Sequence, residues 1–154
     1  MKHVLITHTT QAAAYSDGEV IGAPFAIPAP YENTGIIESV SLIKRSGAAV
    51  KLDLLLFTQL PTTTFTDNGA LSLNTADESI LFDIITFPSA DWVLLNATEK
   101  AINVKSFLEK VYYSTVEADN YKTLYGVLVA RGSVTFATTT PLLARFTFVR
   151  GLVT

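Results

Sequence analysis

The sequence predicts an all-β protein: a single-domain antiparallel β-sandwich, jelly-roll-like, with about eight or nine strands and at most one short helical turn near Thr75-Glu78. Three observations lead there. Apolar residues alternate in short runs, as in Val50, Leu52, Leu54 and Leu56, and alternate positions of a strand share one face. The runs are rich in β-branched and aromatic residues, which suit a pleated, half-buried surface. Glycine, proline, asparagine and aspartate punctuate them at the spacing expected of a sandwich.

The run Val50 to Phe57 is the centre of the predicted fold. Lys51 and Asp53 open its second face as solvent-tolerant, whereas Leu55 and Phe57 close it as apolar, so the strand starts one-sided and finishes covered on both sides. Residues 1–14 read as an N-terminal strand or arm, with Val4 to Thr10 β-prone, and residues 15–154 as the sandwich domain. Tyr15-Ser16-Asp17-Gly18 is a turn, because Asp and Gly tolerate left-handed backbone. Glu19 to Phe25 is extended, with Gly22 marking a bulge or a close backbone approach. Pro24, Pro28 and Pro30 lack ladder donors and assign their segment to a sheet edge or an ordered loop.

Gly35 to Arg45 is a second long strand, with Ile36, Val40 and Leu42 on one face and Ser39 and Ser41 on the other. Ser46-Gly47-Ala48 is short enough to join it to the Val50 strand as an antiparallel hairpin. Beyond the Thr62-Thr63-Thr64 loop and the Asp67-Asn68-Gly69 turn, Thr75 to Glu78 starts one helical turn. Ile80, Phe82 and Ile84 then alternate, and Asp91 to Leu95 is a short strand carrying the single tryptophan, Trp92. Asn96 to Val111 supports two readings. Ala97, Ala101, Val104, Leu108 and Val111 fall at helical spacing behind an Asn96–Glu99 capping box, but Ile102 and Val104 also alternate and Val111-Tyr112-Tyr113 is β-type. Leu124 to Gly132 is apolar on both faces. In the last strand, Leu142 to Val149, Ala144, Phe146 and Phe148 share a face and Arg145 and Thr147 share the other.

With 154 residues the chain is long enough to bury a core without staples, and the absence of cysteine removes disulfides, thiolate metal sites and cysteine nucleophiles. Charged residues make up 16%, well below the usual quarter, which suits an assembled protein better than a free monomer. The net charge is −3 and the basic residues are scattered, so nucleic acid is not an expected partner. Met1 to Ile6 lacks the apolar core of about 7 to 15 residues that a secretory signal needs. No apolar run approaches the roughly 20 residues of a membrane span. The sequence therefore predicts a soluble chain without membrane contact.

Catalytic constellations are sparse. His3 and His8 are five apart, pointing to opposite faces of a strand, and read as surface or arm histidines. A triad of Ser16, His8 and Asp17 lacks any nucleophile-elbow pattern around the serine. Asp67, Asp77, Glu78, Asp83 and Asp91 are crowded enough to suggest paired carboxylates, but their contexts are structural. Asp67 sits in a turn, Asp77 and Glu78 in the first turn of a helix, and Asp83 on an outward strand face. Asp67 with Asn68 supplies too few oxygens for calcium, and Asn96-Ala97-Thr98 matches the glycosylation pattern by chance. No cofactor, metal or enzymatic activity is expected.

Four pieces, in order, carry a resemblance: Gly18-Glu19-Val20-Ile21-Gly22; Leu54 to Phe57 with Pro61 and Phe65-Thr66-Asp67-Asn68; Leu124 to Gly132, including Tyr125, Gly126, Arg131 and Gly132; and the apolar C-terminal strand. Together they resemble small virion structural proteins of tailed bacteriophages, found as head decoration (cement) or other capsid-associated components. The resemblance covers most of Tyr15 to Val149, and its motifs are strand and turn signatures. It implies a strand across Ala101 to Lys105, and a non-enzymatic part made in the host cytoplasm that sits on the capsid exterior and stabilises the assembled lattice. The implied partners are the major capsid protein and further copies of the chain, with a trimer preferred. The arm, through Val4, Leu5 and Ile6, is the candidate segment for adding a strand to a neighbour. A different reading is a carbohydrate-binding β-sandwich of a fibre or tail tip, with Trp92, Tyr112 and Tyr113 as a stacking platform.

Overall fold

The computed structural model describes residues 1–31, 34–45, 49–95, 101–113, 122–136 and 142–150, with residues 34, 101, 103, 106–113 and 122 described by their backbone alone. The strands are β1 (Lys2–His8), β2 (Ala14–Tyr15), β3 (Val20–Ala29), β4 (Thr34–Lys44), β5 (Leu52–Phe57), β6 (Leu81–Phe87), β7 (Val93–Leu94), β8 (Ala101–Tyr113), β9 (Lys122–Ala130), β10 (Val134–Thr135) and β11 (Leu142–Arg150). One helical turn, α1 (Thr75–Glu78), precedes β6, and a 3-10 turn at Ser89–Asp91 follows it. The expected helical position is therefore observed.

A five-stranded sheet has the order β1-β11-β4-β8-β7 and a four-stranded sheet the order β3-β9-β5-β6, with β2 and β10 paired apart. All pairings are antiparallel and they nest: β1 with β11, β3 with β9, β4 with β8, β5 with β6. First pairs with last and second with second-last. A long hairpin rolled up on itself produces this order, so the described residues form a jelly roll of eight long strands with three two-residue additions.

The expected hairpin between the Gly35 and Val50 strands does not form. β4 pairs with β11 and β8, whereas β5 pairs with β6 and β9 in the opposite sheet. Val40 and Leu42 and, across from them, Leu52 and Leu54 all enter one core. The two strands bury their apolar faces against each other as opposing layers, and a flat hairpin would have left one of those faces without a partner. Within β4 a register shift between Ile37 and Ser39 turns Ile37, not Ile36, inward.

Leu52, Leu54 and Leu56 are fully buried between the sheets and each contributes about 1.5 to 3 kcal/mol. Leu55 and Phe57 point the other way, into a second cluster with Val20, Val127 and Val129. Phe65, Leu71, Leu73, Ile80 and Leu81 pack over that cluster, so the stretch between β5 and β6 folds back as a lid on the outer face of the four-stranded sheet. β5 and β9 are thus covered on both sides, as their sequences suggest.

Asp53, expected in solvent, is only 8% exposed. Its carboxylate accepts from Arg131 Nε at 2.6 Å and from Thr86 Oγ1 at 2.8 Å, an ion pair that makes burial of a strand-face charge tolerable. In β6 the expected face of Ile80, Phe82 and Ile84 is re-phased by a register shift opposite Leu56 and Phe57. Ile85 and Phe87 enter the core, Ile84 is exposed, and Asp83 lies across from Leu56, half-buried and not outward.

The prolines mark an edge, as expected: β3, with Pro24 and Pro28, ends its sheet. Ala101 to Lys105 is strand and not helix, because β8 lies against β4 along the chain, where β-pairing outweighs the helical spacing of its apolar residues. Residues 96–100, with the Asn96-Ala97-Thr98 pattern, lie outside the described residues.

Candidate functional site

The polar centres are built into the framework. At the Asp67-Asn68 turn, Asn68 adopts φ 64°, and the Asp67 carboxylate accepts from Tyr15 Oη at 2.8 Å and from the Gly22 backbone N–H at 2.7 Å. Oriented to donate, the Asn68 carboxamide reaches Ala14 O at 3.1 Å and Glu19 Oε2 at 2.8 Å. The turn thereby ties the lid to the start of β3. Burial, then the bond to Asp67, pushes the Tyr15 hydroxyl up to about 12.

His8 belongs to the same junction. It is 4% exposed, overturning its reading as a surface or arm residue, and its Nε2–H donates to Ile21 O at 2.6 Å. Gly22, at φ 73°, leaves space for the ring, since a Cβ there would lie 2.4 Å from His8 Nε2. That is the close approach its position suggests. Burial lowers the His8 pKa below its ordinary value, opposed by the Ile21 carbonyl and Asp67. His3, by contrast, is exposed and meets Thr147 Oγ1 at 3.2 Å.

Asp77 is the second knot. Its side chain accepts from Thr62 N at 2.7 Å, Thr62 Oγ1 at 3.0 Å and Thr63 N at 2.7 Å, and its own N–H is capped by Asn74 Oδ1 at 2.8 Å. Burial alone would raise its pKa, but the hydrogen bonds from Thr63 and Thr62 outweigh it and hold the carboxyl below the usual range. Asp91 pairs with Lys105. Each of these carboxylates has separate structural partners, and no group of three or more His, Cys, Asp or Glu among the described residues could hold a metal ion. An open groove of about 470 Å³ beside the Asp77 knot is lined by Thr62 to Phe65 and by Ala70 and Ser72 to Asn74, without a charged side chain.

Lys44, at the inner end of β4, is 1% exposed, with Nζ 5.2 Å from the Phe136 ring centroid, and burial lowers its pKa to about 8. Alternation from Val40 and Leu42 carries on to Lys44, so its inward direction was there to be read. Trp92 does not form a stacking platform. It is 8% exposed, and its Nε1–H donates to Val50 O at 2.6 Å. The side chains of Tyr112 and Tyr113 lie outside the described ones.

The motif residues also fall in structural places. Gly18, at φ 83°, and Gly132, at φ 123°, make turns, with Gly18 N donating to Ala130 O at 2.9 Å. Gly126 admits the Phe25 ring, which a Cβ would meet at 2.5 Å. Phe57 and Pro61 are buried, and Tyr125 packs on the second cluster. The arm is not free: β1 pairs with β11 from Lys2↔Phe148 to His8↔Leu142. Val4 and Ile6 face the core, and Leu5 points out.

What remains unassigned is the outer face of the five-stranded sheet. Register places Leu5, Arg145, Ser41 and Val104 in one row across four strands, and Thr7, Leu143, Ile43, Ile102 and Val93 in the next across five. Leu5 is 62% exposed, Val93 62% and Val104 51%. Leu143, Ile43 and Ile102 are half-exposed between them. No stretch of the sequence is apolar enough to announce this face; it appears only when register aligns residues from five strands.

No family model matches the chain, and no curated protein does. Among solved structures, the chain is similar to one in infectious bursal disease virus, Gx strain, with 12% identity and a TM-score of 0.21, and to one in the Gt strain of the same virus, with 11% identity and a TM-score of 0.17. Each likeness covers 97% of this chain and 36% of the other, so the chain spans about a third of the length of those it resembles.

Proposed function

We propose that this chain is a non-enzymatic virion structural protein of a tailed bacteriophage, a head decoration or cement protein that binds the assembled capsid lattice from outside. The carrying observation is the outer face of the five-stranded sheet, where Leu5, Val93 and Val104 stand exposed beside half-exposed Leu143, Ile43 and Ile102. An exposed apolar surface on a compact sandwich, here crossed by Arg145 and Ser41, marks an interaction site. The resemblance carried by the sequence motifs implies the class of partner, the major capsid protein, and the low charge density suits a chain that works in an assembly. Specific interfaces bury about 800 Å² per partner. Binding only the assembled shell stabilises that state by mass action, as any ligand of one state does.

The test mixes purified protein with expanded heads that lack it and measures co-sedimentation and the heat resistance of the heads. Wild type is expected to bind at micromolar concentration and raise the temperature of head disruption. Val93→Asp with Val104→Asp, both on exposed side chains, is expected to lose binding while keeping the fold. Absence of wild-type binding overturns the decoration role.

A further inference from the structure

Among the described residues the two large sheets have four edges, and three are blunted. β3 carries Pro24 and Pro28 and breaks register between Ile21 and Phe25. β6 shifts register opposite Leu56 and Phe57; on the fourth edge β7 covers only Ala101 and Ile102, and the rest of β8 is open among the described residues but breaks register between Ser106 and Lys110. β1 has none of these devices. Its seven residues contain neither proline nor glycine and keep an unbroken register with β11. Among the described residues no strand pairs with its other edge. The charge that would guard the edge is turned aside, since Lys2 Nζ reaches Pro30 O at 3.3 Å and lies 5.3 Å from the Tyr31 ring centroid. A regular, unguarded edge is a template for another strand, and natural sandwiches normally suppress it.

We infer that β1 is a homodimerisation edge, which pairs antiparallel with β1 of a second copy about a two-fold axis at Leu5 and joins the two five-stranded sheets into one.

The occupant follows from self-complementarity. Centred on Leu5, the pairing sets Leu5 against Leu5, Val4 against Ile6, His3 against Thr7 and Lys2 against His8. On the inner face Val4 and Ile6, partly buried at the rim of the core, gain cover from the copies of each other. On the outer face the two exposed Leu5 side chains meet and join the two apolar surfaces into one. Like charges do not meet: Lys2 lies opposite His8, which burial keeps neutral near pH 7. Arg145, across from Leu5 within each sheet, is separated from its counterpart by both β1 strands. The pairing is two-fold, so it builds a dimer and not a trimer.

Because the chain contains no cysteine, one substitution gives a single crosslink site. In Leu5→Cys the two cysteines face each other across the axis, with Cα atoms about 4.5 to 5.5 Å apart, inside the disulfide range of about 4.4 to 6.8 Å. In Thr7→Cys the cysteines are offset by four residues, roughly 13 Å, and cannot bridge. Oxidation of the full-length chain is expected to convert Leu5→Cys to a covalent dimer and leave Thr7→Cys monomeric on a non-reducing gel. Sedimentation velocity is expected to show a dimer for wild type and loss of the dimer in Leu5→Glu, with circular dichroism confirming that the variant folds. A wild-type monomer at micromolar concentration overturns the inference, as does a dimer that persists in Leu5→Glu or equal crosslinking of the two cysteine variants. The experiment contains no capsid, so its failure leaves the decoration reading to be judged by head binding alone.

Discussion

The two sheets of the sandwich share one core, yet their outer faces are finished in opposite ways. The four-stranded sheet covers its outer residues, Leu55, Phe57, Val127 and Val129, with its own chain, through Phe65, Leu71 and Leu73 of the lid. The lid is held by Asp67 at one end and Asp77 at the other. The five-stranded sheet has no such cover among the described residues and leaves Leu5, Val93 and Val104 exposed. An apolar face costs least when something covers it, so the difference separates an internal solution from an external one. On the proposed reading, the lid stabilises the monomer and the bare face serves the assembly.

The comparison can be broken most severely at the lid. Phe57→Ala empties a fully buried site and is expected to cost about 3 to 5 kcal/mol in urea denaturation. A loss below about 1 kcal/mol would mean that the lid collapses readily and is not a true second core. Asp77→Asn removes the charge that Thr62 and Thr63 solvate and is expected to destabilise at neutral pH. The native carboxyl titrates below its unfolded value, so its contribution is full above about pH 4 and is lost as pH falls through the lowered folded value. Wild type and variant should therefore converge in acid, and a gap that is constant with pH would assign the effect to shape.

A smaller effect is expected at His8, where the lid turn meets β1. Its folded pKa lies below about 6.5, so the unfolded chain takes up a proton first and stability falls as pH drops below that value. His8→Gln, whose amide can still donate to Ile21 O, should flatten this slope in thermal melts taken between pH 7 and 5. An unchanged slope would place the titration elsewhere. The smallest change in stability is expected on the bare face, where Val104→Thr alone, which keeps a β-branched side chain, should stay within about 0.5 kcal/mol of wild type. A larger loss would show that this face is already engaged within the monomer.

Much of the fold is legible from local pattern. The alternation of Val50 to Phe57, the doubly apolar Leu124 to Ala130, the edge prolines and the helical turn at Thr75 to Glu78 all depend on side-chain period or backbone chemistry within a few residues, and all are observed. What was not legible depends on the other end of the chain. Nothing in Ser46-Gly47-Ala48 says that the strands on either side belong to different sheets, since that follows from β11 and β8 claiming both sides of β4. One-residue register shifts in β4 and β6 re-phase Ile37 and Ile85 without any glycine to signal them. His8 reads as an arm residue because Gly22, which gives its ring room, is fourteen positions away. The outer face is the extreme case, for it draws its residues from five strands.

The latch between Trp92 and Val50 has a practical consequence. Val50 lies where the chain passes from the five-stranded sheet to the four-stranded sheet, and Trp92 where it returns, so the indole N–H bonded to the Val50 carbonyl fastens the two crossings together. As the single tryptophan, and nearly buried, it gives the protein an intrinsic fluorophore at the seam. Its emission should shift to longer wavelength when the sheets part, and it should stay unchanged when a partner docks on the outer face. One optical signal can thus separate unfolding from assembly.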